Sequence, residues 1–169
     1  MRRHFQMFAD YNRWANRRVY AACEDLSDED YRADAGAFFG SIHRTLNHLL
    51  VADRIWVSRM TGQGEAPKAL DVVLFDDFSA LRDARAAEDQ RIIGFVDGLN
   101  DERIAGDFTY TTISKPTTIT QPLGPVLSHV FNHQTHHRGQ VHAILTSLGG
   151  PSLVLDLVYF LRSDGSRWM

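Results

Sequence analysis

Val130, His133, His137, Val141, Ile144 and Leu148 recur at steps of three and four residues through one stretch of the chain. An α-helix turns once in 3.6 residues, so this spacing lays all six side chains along one stripe, apolar except for its two histidines. A chain built on such a stretch has to bury an amphipathic helix, and two imidazoles with it. The same period occurs in three earlier segments. Phe8, Tyr11, Ala15, Val19 and Ala22 mark a first helix over 4–23. Ile42, Leu46, Leu49, Trp56 and Met60 mark a second, from Ser41 to about Met60. Over 76–99, Phe78, Leu81, Ile92, Phe95 and Leu99 bracket a charged middle, "RDARAAEDQR", and give a third.

Stop signals separate these helices. "DLSDEDY" follows the first, "TGQGEAP" ends the second, Pro122 and Pro125 suit the opening turn of the fourth, and "GGP" closes it after Leu148. Only one part of the chain reads as extended. "DFTYTTI" and "TTITQPL" are β-branched and aromatic, and Ser-Lys-Pro separates them, which predicts a short hairpin. The apolar run "SLVLDLVYFLR", 152–162, predicts a short extra C-terminal helix across one end. The expectation is an all-α helical bundle, residues 1–169 as one domain, with a hairpin-like excursion between helices 3 and 4.

Composition narrows the function classes. With 44% hydrophobic and 23% charged residues, the chain can close a core. A net charge of −3 and only two lysines argue against a nucleic-acid partner. The lone Cys23 excludes an intramolecular disulfide, for which the cytoplasm is the simplest reading. The basic N-terminus lacks the apolar run of a signal peptide, and no window resembles a membrane span.

The histidines carry the chemistry. His133 and His137, four residues apart, differ by about 40° around the helix axis, so their rings can converge above one face. Such a pair can supply two ligands of a metal site; the plain alternative is two core histidines bonded to carbonyls or carboxylates. His48 is the natural third ligand, because Ser41, Thr45 and Ala52 beside it are small. The main competitor pairs His129 with His133. His136 points about 100° away from His137 and is expected beside the site, not in it. His43 and His142 are expected in solvent, and His4 carries little information. Three neutral imidazoles with coordination positions left open suit Zn²⁺, Ni²⁺ or Fe²⁺, which could activate a water or a thiol.

Several other residues invite a role. Asp53 interrupts an apolar stripe, and could orient a ligating imidazole or pair with an arginine such as Arg138. A solvated charged face is the simpler account of Arg85 and Glu88, with a place in the cavity as the alternative. Asn12 and Asn16 are read as bonding across the bundle. Gly139 costs its helix about 0.5–1 kcal/mol relative to Ala, and close helix packing is the usual reason for accepting that. Trp14 and Trp56 could wall a cavity, and Cys23 reads as a small buried residue.

Taken in order, "YNRWANRRVY", "LNHLLVADRIWVSRMTG" and "LSHVFNHQTHHRGQVHAILTSLGG" resemble the DinB/YfiT-like metalloenzyme family over almost the whole chain. The resemblance implies a four-helix up-down-down-up bundle, with a divalent metal on one histidine of helix 2 and the HxxxH pair of helix 4. Those map onto His48, His133 and His137. Family members with established roles are transferases or isomerases that use low-molecular-weight thiols such as bacillithiol, mycothiol or glutathione, and they often form homodimers. The leading expectation is therefore a metal-dependent hydrolase or thiol-dependent S-transferase acting on a small molecule. The alternatives are a non-catalytic metal- or ligand-binding stress-response module, and a helical interaction protein with polar core histidines.

Overall fold

The computed structural model describes all 169 residues, Met1–Met169. Four long helices form the frame: α1 (Arg2–Cys23), α3 (Ile42–Thr61), α4 (Phe78–Asp97) and α6 (Leu123–Ser147). Short helices α2 (Asp28–Arg32), α5 (Asp101–Ala105) and α7 (Leu157–Leu161) and a 3₁₀ turn at Ser166–Trp168 occupy the connections and the C-terminus. Strands β1 (Asp107–Thr111) and β2 (Thr118–Pro122) make the expected antiparallel hairpin, with Thr109 opposite Thr120.

Local chemistry sets the helix ends. Ser41 caps α3 by accepting the Arg44 N–H at 3.2 Å, and Asp77 caps α4 by accepting that of Ala80 at 2.8 Å. Gly62 ends α3 in the left-handed region at φ 68°, which a side chain would disfavour. Two expectations need adjusting. The segment 152–162 is helical only over Leu157–Leu161, and the short helix α5, capped by Asn100, was not foreseen. No helix is long and apolar enough to cross a membrane.

Side-chain contacts fix the directions. Gln6 reaches Asp97 and Glu24 meets Arg82, so α1 and α4 run antiparallel. Trp56 lies against His129 and His48 against His137, so α3 and α6 are also antiparallel. Phe5 stacks on Phe131, while Val19 shares an apolar cluster with Ile144, which makes α1 and α6 parallel. α3 and α4 are parallel by the same reasoning, from Leu46 with Leu81 at one end to Val57 with Ile92 at the other. The result is an up-down-down-up bundle.

Its core has two apolar layers, one around Phe5, Ile92, Leu127 and Phe131, the other around Val19, Leu46, Leu81 and Leu145. Between them lies a buried polar layer. Arg85, Glu88 and Asp89 are all buried there, so these three belong to neither a solvated face nor a substrate cavity, while Asp83 and Gln90 of the same charged stretch face solvent. Arg85 donates to Asp53 at 2.6 Å and lies 3.0 Å from Asp89. Asn12 and Asn16 donate to Asp89 and accept from Arg138, bonding across the bundle as expected. Asp53 thus pairs with Arg85 and not with Arg138. The layer alternates positive and negative groups, which offsets the cost of taking each out of water.

Candidate metal centre

His48 enters from the middle of α3, and His133 and His137 from the facing turns of α6. One nitrogen from each ring lies within 4.8 Å of the other two. The Nε2 atom of His133 is 3.2 Å from that of His48 and 3.1 Å from that of His137. Both outer rings are oriented by their other nitrogen: His48 Nδ1 donates to the Leu70 carbonyl at 2.8 Å, and His137 Nδ1 to Gln140 Oε1 at 2.7 Å. Those oxygens can only accept, so Nδ1 carries the proton and Nε2 presents a bare lone pair in both rings. Both lone pairs face His133 Nε2, which can donate its N–H to one of them or, with its proton on Nδ1, join them as a third ligand of one cation.

The donor set fits such a cation. Nitrogens about 2.0–2.1 Å from one ion sit about 2.9 Å apart at a right angle and about 3.3 Å apart at a tetrahedral one. Two of the three separations, 3.1 and 3.2 Å, fall inside that interval, and the third, between His48 and His137, is wider but within 4.8 Å. Burial, and then the neighbouring histidines, lowers the pKa of His133 to about 3, and burial also lowers those of His48 and His137. All three rings are therefore neutral near pH 7, the form that binds metal.

His129, the competitor from spacing, lies outside the cluster; its ring centre is 5.8 Å from that of His133, and it rests against Trp56. His136 is exposed and accepts from Gln140 at 3.3 Å, one residue removed from His137. His43 and His142 are not free in solvent. His43 is buried against Tyr31 with Nε2 3.3 Å from the Phe75 carbonyl, and His142 accepts the Leu153 N–H at 2.9 Å. The groups behind the imidazoles are a carbonyl and an amide, not the expected carboxylate. Gln140 was overlooked although its position, three residues after His137, places it one helical turn away. The Leu70 carbonyl, brought in by a loop, left no signal in the sequence.

Two hollows flank the histidines. One, of about 280 Å³, is lined by His48, His133, Trp56, Arg59 and Tyr110; the other, of about 540 Å³, by His48, His137, Phe38, Phe39, Arg44 and Asp71. Phe39 stacks on the His48 ring at 3.9 Å. Trp56 walls a hollow as expected, but Trp14 lies elsewhere, against Phe160 and Asp164. Gly139 meets nothing within 4 Å of where a Cβ would stand, so close packing does not explain it. Cys23 is buried and its thiol pushed up to about 12 by that burial, consistent with a packing role.

The comparisons bear on the family and the fold. The chain is 26% identical over 160 residues to Protein DinB of Bacillus subtilis, covering 90% of each. It also superposes on the crystal structure of a DinB-like protein from Bacillus cereus with a TM-score of 0.62, at 17% identity, over 83% of this chain and 90% of that one. The model of the DinB family matches residues 1–167, and the chain belongs to that family.

Proposed function

We propose that this chain is a metal-dependent enzyme in which His48, His133 and His137 hold a divalent ion, Zn²⁺, Ni²⁺ or Fe²⁺, and a water or a small thiol is activated beside it. The reaction class is hydrolysis or thiol-dependent S-transfer to a small molecule. One observation carries the reading: three imidazoles turn toward one point, two of them with their other nitrogen committed to an oxygen. The ion would supply a Lewis acid that lowers the pKa of a water or thiol in an open position. The protein's part is orientation and exclusion of water. The Leu70 carbonyl and Gln140 hold two rings in the ligating tautomer, and Phe39 covers one face of His48. The two hollows favour catalysis over a sealed binding module, because structural metal sites close their coordination shell and catalytic ones keep a position open.

Elemental analysis of protein purified without a histidine tag tests this. Reconstitution should give about one equivalent of metal per chain, and His133→Ala and His137→Ala should each remove most of it. Less than about a tenth of an equivalent of any transition metal, before and after reconstitution, would overturn the reading.

A further inference from the structure

The smaller of the two hollows beside the histidines, of about 280 Å³, is lined by 12 residues, none of them acidic. Its histidines, His48, His129 and His133, are neutral near pH 7, because burial lowers the pKa of each. Arg59 therefore supplies the only formal charge on its wall. That charge is half-buried and pairs with no carboxylate; the guanidinium donates to the Thr111 carbonyl at 2.6 Å, which uses one N–H of a group that carries several. The buried Arg85, by contrast, is shared by two aspartates.

Packing holds Arg59 in place. Its guanidinium carbon stands 4.9 Å from the centre of the Trp56 ring and 5.3 Å from that of Tyr110, distances at which a cation is attracted to an aromatic face. A run of contacts links it to the candidate metal position: the Trp56 ring centre is 5.4 Å from that of His129, which is 5.8 Å from that of His133. Along α3, Arg59 follows His48 by about three turns, roughly 16 Å of helix axis, and helical side chains lean back toward the N-terminus. The hollow thus runs from the histidines to the guanidinium.

An uncompensated positive charge beside an aromatic wall is complemented by a ligand with one negative charge and a flat or apolar body. We infer that this hollow is the recognition subsite for a small organic monoanion, a carboxylate in its simplest form, with the anionic group on Arg59, the body against Trp56 and Tyr110, and the reacting end toward His48 and His133. A guanidinium suits a carboxylate because its planar fork can make two parallel hydrogen bonds to it. The hairpin acquires a part in this, since β1 supplies Tyr110 and, through Thr111, the bond that fixes Arg59. The subsite rests on the metal-dependent reading above, and narrows its small molecule to monoanions long enough to reach both ends.

The test is isothermal titration calorimetry of the full chain, metal-free and loaded with Co²⁺, with 4-phenylbutyrate and its neutral isostere 4-phenylbutyramide. The acid should bind roughly tenfold or more tightly than the amide in both forms of the protein. Arg59→Met, which keeps the apolar stem, should lower the acid to the affinity of the amide and leave the amide unchanged, while Arg59→Lys should retain part of the preference. Both variants should take up cobalt as wild type does, read from its visible spectrum, which also shows that they fold. Acid and amide affinities within about twofold in wild type, no binding of the acid up to about 10 mM, or a preference that survives Arg59→Met would overturn the subsite. Equal weakening of acid and amide by Arg59→Met would overturn it too, because a residue that only ties down the hairpin does not read the ligand's charge. A preference confined to the cobalt-loaded protein would mean direct ligation of the ion by the carboxylate, overturning the subsite and leaving the metal centre standing. Failure to bind cobalt with the preference intact would overturn the metal-dependent reading and leave the anion subsite standing.

Discussion

Arg85→Met removes the one guanidinium shared by Asp53 and Asp89 while keeping most of the side chain's length. All three groups are at most 2% exposed. Asp89 retains the Asn16 amide at 2.9 Å and the Asn12 amide at 3.4 Å, but Asp53 loses its sole side-chain partner. Removing one member of a buried pair costs about 3–5 kcal/mol, because the other is left as an uncompensated charge. The expected loss is about 3–5 kcal/mol, or roughly 6–20 °C in Tm for a chain of this length. Urea and thermal unfolding of metal-free protein at pH 7, followed by circular dichroism, measures it. Asp53→Asn combined with Arg85→Met should recover at least half of it. A loss below about 1 kcal/mol, or no recovery in the double variant, would refute the view that this layer is held by paired charges.

Three further outcomes follow from the geometry. Gln140→Ala removes the oxygen that orients His137, and should weaken metal binding about 10–100-fold with little change in unfolding midpoint; an unchanged metal dissociation constant would remove Gln140 from the site. Gly139→Ala should stabilise the protein by about 0.5–1 kcal/mol, since Gly139 is helical with free space around it, and a destabilised variant would mean that something covers this face. Metal-free protein should lose stability as pH falls from about 6.5 toward 3. His133 is held near 3 when folded and regains its ordinary 6.5 when unfolded, so the unfolded chain takes up a proton the folded one refuses. His133→Gln should flatten that dependence in urea titrations across this range, and an equal slope in both proteins would contradict it.

The helices and the histidine cluster could be read from the sequence because their signals are local. Ser41, Asp77 and Gly62 act on neighbouring backbone, and the inward phase of His133 and His137 follows from helical spacing alone. The Asn12 and Asn16 bridges of the polar layer were legible, but the burial of Arg85 and Asp89 and their pairing were not, for a different reason. Burying a charge makes sense only with its partner, and Asn12, Asn16, Asp53, Arg85, Asp89 and Arg138 are spread over four helices. A clue was nevertheless present: Leu81, Arg85, Asp89, Ile92 and Val96 form a stripe at steps of three and four, so Arg85 and Asp89 interrupt an apolar face much as the two histidines do.

That parallel bears on how the centre is built. Apolar layers tolerate sliding between helices better than a set of ion pairs and amide bridges does, because a shift by one turn leaves every charge without its partner. Asp53 follows His48 by little more than one turn on α3, and Arg138 is adjacent to His137 on α6. Pairing across the layer therefore sets the height at which His48 meets His133 and His137. If so, Arg85→Met should lower cobalt affinity at a temperature where the variant is still fully folded, and Asp53→Asn with Arg85→Met should restore stability without restoring affinity in full, since the neutral amide no longer specifies register. Equal cobalt affinities in wild type and folded Arg85→Met would show that packing alone positions His48, and would leave the charged layer without a part in assembling the metal site.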